Sequence, residues 1–370
     1  MESNQQLLST HSNRLTAAIT LGKPDRTPVI LAADSFFARH MGIPLSEYLQ
    51  DLEVSSQIHL QSIARLGEID GIQYLAPCVH ALGAATFAKV KLPGRELPPD
   101  AQWQIDETSP MSAEDYDIIL NKGFNYYQQQ MLVKHFPDAL PDLQKYVSAD
   151  WGKIVANYTN AGIVPFSPVI SVIPFDVLSS MRGMVNLTKD LFRMPDKIEA
   201  VLAVMAADML AGLQAQMAAV KPFAVFIGAT RSAPEYMSAR MWERFALPLI
   251  TKQVQLVVDS GAYALLHWDN NWTRAIDYLK ALPKGKCILS SDSNTDLYKA
   301  KKVLAGHMCV MGDVPAALLT LGEPEAVYRY CRQLINDLGP DGFILAVGCC
   351  VPLNAKPENV KAMIAAATGK

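Results

Sequence analysis

From about residue 160 to the C-terminus, short apolar runs alternate with longer segments whose apolar residues recur every three or four positions. The runs are 163–173, 223–227, 262–267, 287–290, 308–311 and 342–347. Between the first two, Ile198, Leu202, Met205, Met209, Leu213 and Met217 fall on one face of a helix whose start is marked by Pro195-Asp196. The methionines in that stripe are expected to pack in the core. Further helices are expected over 238–260, from Trp272, after Asn294-Thr295-Asp296, across 315–338, and over 357–367. Strict strand–helix alternation implies a parallel sheet, because parallel neighbours need a crossover between them.

Two more apolar runs lie upstream, at 28–32 and 71–75, separated by a helical stretch rich in Leu and Ser. With the six downstream runs they make eight strands, the number that closes a (β/α)₈ barrel. The fold expected is therefore α/β, a single barrel over 1–370 with an N-terminal extension. Residues 76–160 do not keep the alternation: they hold Pro93, Pro98, Pro99, Pro110, Pro137 and Pro141 together with Trp103, Tyr126, Tyr127 and Trp151. They are expected to form an insertion between the second and third strands that caps the barrel mouth, the alternative being a small separate domain.

Composition narrows the function classes. The 370 residues are 50% hydrophobic and 19% charged, with a net charge of −3. No cluster of Lys and Arg is available to neutralise phosphates, so nucleic acid is not an expected partner. The longest apolar stretch, 161–178, is interrupted by Pro165, Pro168 and Pro174 and reads as a strand with its loop, not a membrane span. The first residues lack the basic and apolar regions of a signal peptide. Six cysteines without secretory context are expected to be reduced thiols, and the location expected is the cytoplasm, with no membrane partner.

In such a barrel, chemistry sits where the strands end. The residues after successive runs include Asp34, then Phe175-Asp176, Thr230-Arg231 with Glu235, His267-Trp268-Asp269, Asp292, Asp313, and Cys349-Cys350. Asp34, Phe175, Arg231, Asp292 and Asp313 are candidate substrate contacts around one cavity. Asp and Asn near helix starts also serve as N-caps, the role expected for Asp196 and Asp296. His267 and Cys349 offer an imidazole and a thiolate at strand ends, suitable zinc ligands; the alternative for each is a buried structural group.

Several motifs resemble one known family. Arg14-Leu15-Thr16-Ala17-Ala18-Ile19 through Lys23-Pro24-Asp25-Arg26-Thr27-Pro28-Val29 is similar to the opening of the uroporphyrinogen decarboxylase superfamily. So are Phe175-Asp176-Val177-Leu178-Ser179-Ser180, Gly348-Cys349-Cys350-Val351-Pro352 and Pro357-Glu358-Asn359-Val360-Lys361-Ala362-Met363. The resemblance implies a (β/α)₈ barrel and one of two activities, cofactor-free decarboxylation of uroporphyrinogen or zinc-assisted methyl transfer involving a corrinoid protein. The methylcobalamin:coenzyme M methyltransferases hold zinc with a His-x-Cys pair and a later Cys. His267 matches the first ligand and Cys349 the last, whereas Asp269 stands where that branch has Cys. The decarboxylases carry an Arg-rich segment after the first strand, where this chain offers only Arg39. They also have an essential Asp after the second, where it reads Tyr74-Leu75-Ala76-Pro77-Cys78-Val79-His80.

The resemblance therefore implies a corrinoid-dependent methyltransferase, with cobalamin carried by a corrinoid protein partner and a small methyl donor or acceptor. A porphyrin-pathway decarboxylase and a non-catalytic ligand-binding barrel are the alternatives. His267 and Cys349 would hold the metal, Asp269 would ligate it or orient His267, and Glu235 would be a further ligand or acid. The Arg231 fork suits a substrate carboxylate or phenolate, the alternative being an ion pair with Asp292 or Asp34. Phe36, Phe37, Phe175, Trp268 and Trp272 are expected either to line a site for a flat substrate, such as a methoxylated aromatic ether, or to pack in the core. A methylamine is the other methyl donor considered, and a homodimer is left open.

Overall fold

A computed structural model describes residues 3–370. Its parallel strands are β1 (Ile30–Leu31), β2 (Gly71–Ile72), β3 (Val164–Pro165, resuming as Val169–Val172), β4 (Ala224–Ala229), β5 (Tyr263–Trp268), β6 (Cys287–Ser291), β7 (Cys309–Val314) and β8 (Phe343–Val347). Ile30 pairs with Gly71, Gly71 with Val164, and Val169 with Val225. From β4 onward each strand pairs with the next, His267 lying opposite both Gly228 and Ser290. The ring closes where the Leu345 amide donates to the Pro28 carbonyl at 2.9 Å and Val29 bridges Leu345. The expected (β/α)₈ barrel is what the chain forms.

β3 is interrupted because Pro165 and Pro168 have no amide to give the ladder. Phe166 spans the break: its amide donates to the Ile72 carbonyl at 2.9 Å, and its carbonyl accepts from the Ala224 amide at 3.0 Å. Side chains alternate across each strand, so every second residue points inward. Ile30, Phe166, Ala224, Leu265, Ile288, Met311 and Ile344 form an inner cluster, closed from below by Leu15, Ala18 and Ile19 of the N-terminal helix Asn4–Ile19. Two positions along from Ala224, Leu265 and Ile288 come Phe226, His267 and Ser290. The period of two that fills the interior thus also delivers the first polar side chains into its upper end.

The base of the barrel is tied by charge. Asp70, fully buried, accepts from the Val29 amide at 2.8 Å and from Arg26 at 2.7 Å, and also pairs with Arg14. Arg14 in turn holds Asp25 at 2.6 Å.

Several helices depart from expectation. The segment expected as one helix over 238–260 is two, Ala239–Phe245 and Leu247–Asp259, because Pro248 in the first turn of the second cannot continue the first. The helix expected from Trp272 is a 3₁₀ helix, Thr273–Ala281. Asp296 caps its helix by accepting from the Lys299 amide. Asp196 does not cap: Met194 takes that position, and Asp196 sits in the first turn and pairs with Arg244.

The methionine-striped helix runs Pro195–Val220, with Ile198, Leu202, Met205, Leu213 and Met217 buried. Among the described residues it is the one helix long and apolar enough by composition to cross a membrane. Here its inward stripe packs in the barrel's main core, and its Asp208 carboxylate accepts from the Phe124 and Asn125 amides.

Between β2 and β3 lie the helices Val79–Thr86, Asp115–Lys122, Phe124–His135 and Ala139–Val147, and an antiparallel ribbon of Lys89–Lys91 with Gln104–Asp106. The helix Trp151–Asn160, which leads into β3, buries Ile154 and Tyr158 against the barrel wall. All six cysteines are unpaired.

Candidate active site

At the C-terminal ends of β3, β4 and β5 a cavity of about 310 Å³ opens, roofed by the end of helix Val79–Thr86 and by the ribbon. His267 and Asp269 reach it from the end of β5, two residues apart and therefore on the same side of the strand. Cys349 follows β8. Ring closure brings one ligand atom from each of His267, Asp269 and Cys349 within 4.8 Å of the other two.

Each member of this trio is oriented by a neighbour. The His267 ring is buried and stacks on Phe226 at 5.0 Å between centroids. Its Nδ1 lies 3.1 Å from Ser290 Oγ, while Nε2 lies 3.7 Å from Asp269 Oδ1. With Ser290 accepting from Nδ1–H, Nε2 keeps its lone pair toward the other two groups. Burial holds the imidazole below its usual pKa, against the opposing pull of Asp269 and Asp292, so the ring is neutral near pH 7. Asp269 Oδ2 accepts from Thr230 Oγ1 at 3.0 Å, which leaves Oδ1 facing His267. Cys349 lies at the open side of the mouth. Loss of hydration around the sulfur, reinforced by the Asp269 and Asp292 carboxylates, pushes its thiol up to about 12. A cation bound among these groups reverses that logic, since a coordinated thiol gives up its proton. One nitrogen, one oxygen and one sulfur donor, with the nitrogen's tautomer braced from behind, fit a catalytic zinc position.

Asp176 sets the geometry from below. Its Oδ1 accepts from the backbone amides of Thr230 at 2.8 Å, Arg231 at 2.6 Å and Ser232 at 3.4 Å. That carboxylate pins the loop after β4, and the loop places Thr230 against Asp269. Burial raises the Asp176 pKa although three amides favour the ion. Arg231 lines the cavity, its Nη1 donating to the Ser179 carbonyl at 3.1 Å. Its ion-pair partner is Glu107 from the insertion, not Asp292 or Asp34.

Other expected site residues go elsewhere. Asp34 is buried and accepts from the Tyr48 hydroxyl at 2.8 Å; desolvation raises its pKa to about 6. Asp313 accepts from the Tyr330 hydroxyl at 2.9 Å. Asp292 accepts from the Asn270 and Asn294 amides, and reaches the trio only through its charge. None of the three lines the cavity. Glu235 accepts from the Asn271 amide at 3.2 Å and is not part of the metal-competent trio, so the further-ligand role is not supported.

Of the two places expected for the strand-end aromatics, the structure gives the core, which corrects Phe175 as a substrate contact. Phe36, Phe37, Phe175, Trp268 and Trp272 are at most 1% exposed and belong to the core. Trp268 and Trp272 stack on each other at 4.1 Å, and Phe175 borders a different, apolar pocket beside Leu187 and Met241. The rings that do face the cavity are Phe87 and Phe226. Phe226 and Ser290 carried a signal in the inward register of β4 and β6. Phe87, Glu107 and Thr108 carried none, because they arrive from an insertion without strand periodicity.

Residues 166–369, more than half of the chain, match the family model described as Uroporphyrinogen decarboxylase (URO-D). No protein of curated function matches. A solved structure, a methyltransferase from Methanosarcina mazei, is similar with a TM-score of 0.71 over 96% of this chain and 97% of that one, at 17% identity. A likeness at that identity speaks to the fold.

Proposed function

The chain belongs to the uroporphyrinogen decarboxylase family, and from that premise we propose that it is a methyltransferase acting between a small substrate and a corrinoid carried by a separate protein. The observation that carries the reading is the convergence of His267, Asp269 and Cys349, the first two of which line a partly apolar cavity. His267 Nε2, Cys349 Sγ and an Asp269 oxygen would hold zinc. Bound there, zinc supplies Lewis acidity to the atom that gains or loses the methyl group.

The remaining work falls to the protein's own groups. Phe87, Val172 and Phe226 give the cavity apolar walls, suited to a methoxylated aromatic ether or a methylamine. Arg231, held by Asp176 and Ser179, is placed to orient an anionic oxygen of the substrate. Thr230 fixes the Asp269 carboxylate so that it faces His267. The setting is the cytoplasm, consistent with six free thiols.

The decarboxylase alternative fits the cavity less well. Arg231 is the one cation among its lining residues, whereas a substrate with eight carboxylates needs many.

The test is metal analysis of the purified protein followed by a spectroscopic assay of cob(I)alamin methylation. His267→Ala and Cys349→Ala should each reduce the rate by about a hundredfold or more with the circular dichroism spectrum unchanged. Full activity in both variants, or metal-independent turnover of uroporphyrinogen, refutes the proposal.

A further inference from the structure

The Arg231–Glu107 pair joins a fixed group to a loose one. Arg231 is anchored: its backbone amide donates to Asp176, its Nη1 donates to the Ser179 carbonyl, and its side chain is only 19% exposed. Glu107 is 71% exposed and begins a stretch, 107–110, without secondary structure, between the ribbon and the point where the Met111 amide bonds to Met181. Among the described residues, Arg231 is the one ion-pair partner of the Glu107 side chain.

The same cavity contains a second unanswered group. Thr108 lines it, and its hydroxyl oxygen is shut off from solvent without a hydrogen-bond partner. A buried hydroxyl in that state is costly unless something arrives to accept from it or donate to it. The cavity therefore presents one guanidinium, the unsatisfied Thr108 hydroxyl and the unpartnered Asp176 Oδ2 beside the apolar surfaces of Phe87, Ile105, Val172 and Phe226. Its other charged groups are Asp176, whose Oδ1 accepts from backbone amides while its buried Oδ2 has no hydrogen-bond partner, and Asp269, whose Oδ2 accepts from Thr230.

We propose that Glu107 is a built-in stand-in for a substrate carboxylate, occupying Arg231 until a small, partly apolar monocarboxylate takes its place. The inference rests on the reading of this cavity as the substrate site. Exchange proceeds by departure of Glu107, because Arg231 is anchored and Glu107 is not. One guanidinium balances one negative charge, so a second carboxylate on the ligand would be left uncompensated against Asp269 and Asp176. With Glu107 largely in solvent the ion pair contributes about 1 kcal/mol, so its displacement is a modest tax on binding and not a block.

The test uses the purified full chain without cobalamin and reads binding by calorimetry for three acid–amide pairs: acetate and acetamide, benzoate and benzamide, 4-methoxybenzoate and 4-methoxybenzamide. At least one carboxylate should bind more tightly than its amide. Glu107→Gln should tighten that carboxylate by about fivefold, the reciprocal of the displaced pair, and leave the amide unchanged. Arg231→Met should abolish the preference for the acid. Arg231→Lys, which keeps the charge and fold but not the fork, should weaken the carboxylate by about tenfold.

Equal binding of acids and amides, absence of binding by all six, or unchanged or weaker carboxylate binding in Glu107→Gln would overturn the inference. A purely structural clasp predicts the last result, because loosening the roof would then hurt every ligand. No step of the test involves methyl transfer. A failure here refutes the anion subsite alone, and a failure of the cobalamin assay refutes the enzymatic reading alone.

Discussion

Ser290→Ala tests the metal reading through a residue that would not itself touch the metal. Ser290 lies beside His267 in the parallel register, and its hydroxyl is 3.1 Å from Nδ1 inside the barrel, with both residues nearly inaccessible to water. Removing the hydroxyl leaves two outcomes for the imidazole. If the proton stays on Nδ1, a buried donor has no acceptor, which costs about 1–3 kcal/mol of folding free energy. If it moves to Nε2, it points toward Asp269, 3.7 Å away, and occupies the lone pair a metal would use. Stacking on Phe226 keeps the ring in place either way, so the effect is on the tautomer and not on position.

Losing an outer hydrogen bond of this kind typically lowers metal affinity by about 10- to 100-fold. That corresponds to about 1.4–2.8 kcal/mol. The assay is zinc competition against a chromophoric chelator at fixed pH, with a thermal melt of the metal-free protein alongside. Ser290→Thr, which retains the hydroxyl, should stay close to the parent affinity. Zinc binding by Ser290→Ala as tight as the parent's would refute the assignment of Nε2 as a metal ligand braced from Nδ1.

Two further predictions concern groups outside the cavity. Burial raises the Asp34 pKa from 3.8 to about 6, so the folded state holds a proton that the unfolded chain releases. That contribution is complete below pH 3.8 and is lost as pH rises through about 6, amounting to about 3 kcal/mol. Relative to Asp34→Asn, the parent's stability in urea should therefore fall between pH 4 and pH 7, and parallel pH profiles would refute the assignment. At the barrel base, Asp70→Asn leaves Arg14 and Arg26 facing an uncharged amide in a buried setting, and should cost about 3–5 kcal/mol in urea unfolding. A loss under 1 kcal/mol would show that the network contributes little beyond what water replaces.

The barrel was legible because its signals are short-range. The apolar runs 262–267 and 287–290 mark two of the strands, and they put His267 at a strand end without knowledge of any pairing. Capping chemistry is equally local, so Asp296 behaves as its position suggests. Where local signals compete the outcome differed: Asp196 resembles a cap, but Met194 and Pro195 set the helix start, and its carboxylate pairs with Arg244. The aromatic residues after the strands were ambiguous for a similar reason. A ring beside a strand end suits a cavity or a core equally, and Trp268, Trp272 and Phe175 find large apolar neighbours to pack against.

The sequence by itself determined the strand count, the strand-end positions and the residue types able to bind a metal, since periodicity and side-chain chemistry travel with the chain. Tertiary structure decided which of those residues meet. Cys349 comes near His267 and Asp269 only because β8 pairs with β1 and closes the ring. Arg231 finds Glu107 because an aperiodic insertion folds across the mouth. Asp34 and Asp313 are drawn away from the cavity by the hydroxyls of Tyr48 and Tyr330 on the helices that follow their strands. Each of these contacts depends on how separate segments pack, and desolvation obliges a buried polar group to take whichever partner that packing supplies.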